Sequence, residues 1–254
     1  MPDSSLELSR LSTDQVAKLD LSEYVVIWPV ASLEQHGPHL PLGTDAIILR
    51  EVVAGVREKL GDSFKGLFLP PLDFGKSPEH LSFPGTVSLQ ASTLLGIVDD
   101  ITASIVRFGS KRFAILNSHG GNTGLLQAES FDLREKYKVK VYTLELWAGK
   151  GYEELLTSVF PKLRDLEIHA ASLETSLMLF LHPELVGEIP SGNPATRLLN
   201  FAPFGWSSND FGENGVIGDP SHASSKAGEI IYRFAVDRIC TLLHSINDQH
   251  RINT

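Results

Sequence analysis

The stretch "SLEQHGPHLPLGTD", Ser32 to Asp45, gathers Glu34, His36, His39 and Asp45 within a few turns of chain. In an extended segment, residues two apart project to the same side, so the Glu34 carboxylate and the His36 imidazole can face one cleft. Asp45 stands where a helix begins, a position that favours a carboxylate through the helix dipole alone. Pro38, Pro41 and Gly43 let the chain fold back and bring Asp45 towards the other two. A further histidine, His119, lies in "NSHGGN" between an apolar strand and a helix; a lone histidine in such a turn is most often a hydrogen-bonded structural residue. In "EIHAASLETSLML", His169 and Glu174 are five positions apart, about 140° around a helix, so they cannot both be central on one face. With His169 at the helix start and Glu174 a turn inside, both still reach one cavity, although an exposed helical glutamate is the commonest kind.

Imidazole mixed with hard carboxylate oxygens suits Zn²⁺, Mn²⁺ or Fe²⁺ rather than copper or an iron–sulfur cluster. Two histidines (His36, His119) and three carboxylates (Glu34, Asp45, Glu174) exceed what one catalytic zinc takes while keeping an open position. Two ions sharing a carboxylate bridge account for the excess. The glycines after the third strand do not make a nucleotide loop, because neither G-x-G-x-x-G nor a terminal Lys-Ser/Thr is present.

The elements that must position these residues read as alternating strands and helices. "YVVIWPVAS" (Tyr24 to Ser32) is a buried strand, and Thr44 is placed to cap the helix that runs to Gly61. "GLFLPPLDFG" suggests a second short strand, and Leu89 to Gly109 a long amphipathic helix. "RFAILNS" is a third strand with "HGGNTG" as its outgoing loop, followed by the helix "TGLLQAESFDLREKY" and the strand "KVKVYTLELW". Helices are expected again over about Ala170 to Leu181 and Ala223 to Asn247. Connections too long for hairpins imply right-handed βαβ crossovers and a mostly parallel central sheet with helices on both faces, a three-layer α/β/α sandwich. Open sheets of this kind bind ligands at the carboxyl ends of their strands, which is where Glu34, His36 and His119 fall. Pro190 to Ser224 is the longest irregular stretch, and a loop of that length often covers a site or forms a subunit contact.

The 254 residues, with no repeat and no linker, read as a single domain over 1–254. The net charge of −9 disfavours nucleic acid and anionic membrane as partners. No apolar run reaches the roughly 18 residues of a membrane span. Cys240 stands alone, which excludes an intrachain disulfide. With an N-terminus unlike a secretory signal, the expected location is cytoplasmic.

Taken together, "PVASLEQHGPHLPLGTD", "HLSFPGT", "NSHGGN", "HAASLETSLML" and the tail "GDPSHASSKAGE" resemble the creatininase (creatinine amidohydrolase) family, in the expected order over about three quarters of the chain. The resemblance implies an α/β/α sandwich with a binuclear metal centre that hydrolyses an amide-type C–N bond of a small molecule. By position, Glu34, His36, Asp45 and His119 match metal ligands, with Asp45 as the bridge, and His169 matches the catalytic histidine. One departure concerns a ligand: Gly121 occupies the place of a glutamate in true creatininase. Glu174 resembles the residue that completes the site in the "HGGN" branch, and is assigned there as ligand and catalytic residue. That branch includes formamide hydrolases, a peptidase of a modified peptide and hydrolases of cyclic diketo sugars, so creatinine itself is not the expected substrate. Trp147 is the best match to the tryptophans around creatinine. Ser77 and His80 are expected to line the pocket or to orient a ligand, and His39 to support. The resemblance also implies a homo-oligomer, a hexamer built as a trimer of dimers. The competing readings are a hydrolase of a cyclic ketone or diketo sugar, or a peptidase of a modified peptide, with the same metal-hydroxide chemistry, and a non-catalytic member of the fold that binds a metabolite.

Overall fold

The structure, a computed structural model, describes residues 5–61, 64–161, 167–193 and 205–252. Five parallel strands, β1 (Ser5–Glu7), β2 (Val25–Val30), β3 (Gly66–Phe68), β4 (Arg112–Asn117) and β5 (Lys140–Glu145), form one sheet in the order β1-β3-β2-β4-β5. The helices are α1 (Thr13–Val16), α2 (Thr44–Leu60), α3 (Ala91–Arg107), α4 (Gly120–Tyr137), α5 (Tyr152–Val159), α6 (Ser172–Leu181) and α7 (Ser225–Ile252).

Side-chain parity along the central strands separates two cores. Val25 and Ile27 of β2, with Ala114 and Leu116 of β4, pack against α2, α6 and α7. Val26, Trp28 and Val30, with Phe113 and Ile115, pack against α3 and α4. Both strands are therefore buried on both faces, as parallel strands between helical layers must be. Pro29 is unusual so deep in a sheet, since it has no N–H to donate. Its missing donor would face β3, which has already ended at Phe68; the Pro29 carbonyl still accepts from Leu72 N (3.0 Å).

After β2 the chain moves to one side of the sheet, towards β3, and after β4 it moves to the other, towards β5. The loops leaving β2 and β4 consequently part at their carboxyl ends and open a crevice between them.

Several local expectations are revised. Gly43, not Thr44, is the N-cap of α2; Thr44 is the first helical residue, and its hydroxyl donates to the Pro41 carbonyl (2.7 Å). Gly120, Gly121 and Asn122 form the first turn of α4 rather than a loop, and His119 is its N-cap. α6 begins at Ser172, so His169 and Ala170 precede it, and His169 pairs instead with Ile217 in an isolated antiparallel bridge. Strand β1 and the short helices α1 and α5 carried too few residues to show a period. Of the long stretch from Pro190, residues 194–204 lie outside the described residues; its later part holds a 3-10 turn at Ser208–Asp210 and the strand-like Ile217.

Candidate metal centre

The loop after β2 carries Glu34 and His36 into the crevice, buried to 1% and 0% exposure. Ser32, two residues before Glu34, shares its side of the chain and donates from its hydroxyl to Glu34 Oε2 (3.0 Å). Asp45 enters from the first turn of α2, and His119 from the N-cap of α4.

Asp45 stands between two groups of side chains. Its Oδ2 lies 3.3 Å from His119 Nδ1, which is also 3.3 Å from Glu34 Oε1. Its Oδ1 lies 3.6 Å from His36 Nε2, which is 3.7 Å from Glu174 Oε1. The donor atoms of Glu34, Asp45 and His119 all fall within 4.8 Å of one another, and those of His36, Asp45 and Glu174 do likewise. Glu34, His36 and His169 satisfy the same limit.

The ring orientations follow from the hydrogen bonds at the far nitrogens. His36 Nδ1 donates to the Glu34 carbonyl (3.1 Å), which leaves Nε2 aimed at Asp45 and Glu174. His119 Nε2 donates to the Lys76 carbonyl (3.0 Å), with Ser77 Oγ at 3.2 Å, and presents Nδ1. Ser77 Oγ is in turn hydrogen-bonded to Ser32 Oγ. A chain of bonds therefore runs His119–Ser77–Ser32–Glu34 behind the site. Asn117 and Asn122 pin the turn that holds His119: Asn117 Nδ2 donates to the His119 carbonyl (2.7 Å) and Asn122 Nδ2 to the Ala31 carbonyl (3.2 Å).

His169 lies between His36 and His80, with ring centroids 4.3 and 4.1 Å away and the rings tilted by 43° and 33°. Its Nε2 donates to the Gln35 carbonyl (2.6 Å), so Nδ1 faces Glu34 Oε1 at 3.5 Å. His80 Nδ1 accepts from Gln35 Nε2 (2.8 Å) and meets Ser208 Oγ (2.6 Å), which turns its Nε2 towards Glu34 Oε1 at 3.5 Å.

Burial works against charge on Glu34, yet the imidazoles of His119, His169 and His80 hold its carboxyl well below the ordinary range. Burial also works against protonation of His36 and His119, but Glu174 and Asp45 raise the first well above its usual value, and Glu34 and Asp45 the second. Elsewhere burial prevails and is reinforced by neighbouring imidazoles. It lowers His80 to about 3 and His39 to about 4, and it lowers His169. His39 keeps to a supporting place, hydrogen-bonded through Nε2 to Thr175 Oγ1 (2.8 Å).

This donor set fits divalent cations. His36 Nε2 and Asp45 Oδ2 are buried without a hydrogen bond. A buried polar atom with no partner is costly unless another ligand satisfies it. Imidazole nitrogen and carboxylate oxygen are the atoms that zinc, manganese and ferrous iron take.

Gly121 supplies nothing to the site, and a side chain there would be crowded. A Cβ there would stand 2.4 Å from the Lys76 carbonyl oxygen and 2.4 Å from His119 Nε2. Glu174 approaches His36 from α6 instead. Trp147, Tyr152 and Glu167 join His169 and Glu174 around a cavity of about 60 Å³. Trp147 Nε1 donates to the Ser118 carbonyl (3.2 Å), which fixes the indole as a wall. Ser77 and His80, by contrast, are buried behind Glu34 and His119 rather than along that cavity.

Sequence reasoning passed over Ser32, Gln35, Asn117 and Asn122. The two-residue alternation that pairs Glu34 with His36 also places Ser32 beside them. The role of Gln35, whose carbonyl holds His169, has no local signal.

The sequence model of the creatininase family, described as creatinine amidohydrolase, matches residues 9–243. The mycofactocin precursor peptide peptidase of Mycolicibacterium smegmatis is 34% identical, over 88% of this chain and 86% of that protein. The creatinine amidohydrolase of Pseudomonas putida is 31% identical, over 88% of this chain and 90% of that protein. Among solved structures, a manganese creatininase superposes with a TM-score of 0.82 at 26% identity, covering 95% of this chain and 98% of that one. A zinc–zinc form of a creatininase mutant gives the same TM-score, identity and coverage.

Proposed function

This chain belongs to the creatininase family, and we propose that it is a hydrolase that uses two divalent metal ions to cleave a C–N bond of a small amide, formamide or cyclic amide. The observation that carries the reading is the division of Asp45 between two groups, Oδ2 towards His119 and Oδ1 towards His36. Glu34, Asp45 and His119 would hold one ion, and His36, Asp45 and Glu174 the other. When bound, such a pair polarises a carbonyl and makes a water nucleophilic near neutral pH.

The remaining steps belong to the chain's own groups. His169 takes a proton at Nδ1 from the attacking water and returns it to the departing nitrogen; its Nε2–H stays on the Gln35 carbonyl and holds the ring in place. Burial keeps this imidazole neutral and ready to accept. His80, neutral and donating towards Glu34, keeps that carboxylate turned into the site. Trp147 and Tyr152 wall the cavity and limit the water that reaches it.

Zinc, manganese or iron suits the donor set. A homo-oligomer (a hexamer arranged as a trimer of dimers) and a cytoplasmic location complete the reading, supported by the family and the lone Cys240; no helix among the described residues is long and apolar enough to cross a membrane. The test is a panel of amides, formamides and short peptides assayed with each metal, beside metal analysis of protein purified without chelator. Glu34→Gln is expected to abolish hydrolysis while the fold is retained. A fully active Glu34→Gln or His119→Ala variant refutes the metal centre. Light scattering on the same preparation reads the assembly.

A further inference from the structure

Ala170 is one of two non-glycine residues with positive φ among those described (φ 52). It is fully buried and sits between His169, which faces Glu34, and the start of α6. An L-residue does not hold the left-handed conformation without support from its surroundings. Upstream the chain is fixed, because His169 N donates to the Ile217 carbonyl (3.0 Å) and Ile217 N to the His169 carbonyl (2.9 Å). Downstream it is fixed by α6, whose N-cap, Ala171, has no side chain to offer. Ala170 N–H donates to Glu174 Oε2 at 2.6 Å. A glutamate at the third position of a helix ordinarily reaches back to the N–H of the N-cap residue. Here it reaches one residue further, and the left-handed turn at Ala170 brings that N–H within range. The other oxygen of the same carboxylate, Oε1, points the opposite way, to His36.

We propose that Glu174 and Ala170 form a strut in which Glu174 Oε2, by accepting the Ala170 N–H, holds the left-handed turn and so sets where His169 stands against Glu34. Glu174 is then a positioning residue for His169 as well as a group facing His36. The strut rests on the proposed function only for the roles of His169 and of Glu174 Oε1; the backbone bond stands without them. From its place on α6 this one side chain reaches both His36 and the backbone beside His169.

The test uses the full-length protein stripped with chelator, so it does not depend on turnover. Glu174→Gln keeps an oxygen for the Ala170 N–H, whereas Glu174→Ala removes it. The ring signals of His169, assigned by their loss in His169→Asn, should shift in Glu174→Ala and stay close to wild type in Glu174→Gln. Signals that stay in place in Glu174→Ala, or that move as far in Glu174→Gln, overturn the strut. Ala170→Gly releases the left-handed strain and should raise Tm by about 1–3 °C. Glu174→Ala should lower Tm by about 2–4 °C in the wild-type background and by less in Ala170→Gly. Strictly additive shifts overturn the strut. If Glu174→Ala does not fold, Ala170→Gly decides alone, and a fall in its Tm is the refuting result. Zinc counted on Glu174→Gln tests the ligand role separately: an undiminished count removes that role and leaves the strut standing.

Discussion

Asp45 Oδ2 lies 3.3 Å from His119 Nδ1, although one residue opens the helix after β2 and the other caps the helix after β4. The two helices start on either side of the crevice and lie in different layers of the sandwich. The contact therefore joins both halves of the sheet at their carboxyl ends. Because the other oxygen of Asp45 faces His36, loss of its charge should empty both halves of the centre. Asp45→Asn is expected to bind less than about half an equivalent of zinc, where Glu174→Gln keeps about one. Metal analysis after exhaustive dialysis reads both numbers.

Position 121 gives a second expectation. With the Lys76 carbonyl 2.4 Å from where a Cβ would stand, a glutamate there cannot take over from Glu174. The double variant Gly121→Glu, Glu174→Gln should remain as inactive as Glu174→Gln alone. Gly121→Glu by itself should destabilise the fold by about 3 kcal/mol, the upper end of ordinary overpacking. Urea unfolding followed by circular dichroism measures it.

Ser77 links His119 to Glu34 through Ser32. Removing its hydroxyl breaks the chain without touching any donor atom of the centre. Ser77→Ala should weaken metal affinity by about 10–100-fold, read by competition with a chromophoric chelator, while leaving the secondary structure unchanged.

His169 offers the cleanest separation of chemistry from metal. His169→Asn should lower kcat by about 10²–10⁴ and retain wild-type metal content. A loss of metal in this variant would instead favour the grouping of His169 with Glu34 and His36.

Glu167 gives a pH dependence. Burial pushes its carboxyl up to about 7, against the backbone N–H groups of Asp219, Leu173 and Ser172 that it accepts from. The folded protein thus holds this proton more tightly than the unfolded chain does. The stability it contributes is present below about pH 4.5 and is lost as pH rises to about 7. Denaturant titrations of wild type and Glu167→Gln should show the wild type losing stability relative to the variant across that window and the gap levelling above it.

Much of the fold was legible because it is local. "VVIWPV" and "RFAILN" are continuous apolar runs of strand length, and the spacing in α2, α3 and α7 is helical. The places where local reading slipped are ends. α4 begins three residues earlier than its apolar pattern, since Asn117 and Asn122 hold the turn by side-chain bonds that no propensity records. α6 begins later than expected, since Ala170 is turned out of the helix by a bond to a side chain four residues ahead.

The same division runs through the site. Neighbouring residues share a side through backbone periodicity, so the sequence alone determined that Glu34 and His36 travel together and that the segments bearing Glu34, His36 and His119 follow strands. Which oxygen of Asp45 meets which histidine, why Ser77 and His80 lie behind the centre while Trp147 lines its cavity, and why the carboxylate near His36 comes from α6 and not from position 121 were decided only by the tertiary structure. Those relations depend on how α2, α4 and α6 pack across two faces of the sheet, and on the few ångströms between Gly121 and the Lys76 carbonyl, distances that no spacing along the chain carries.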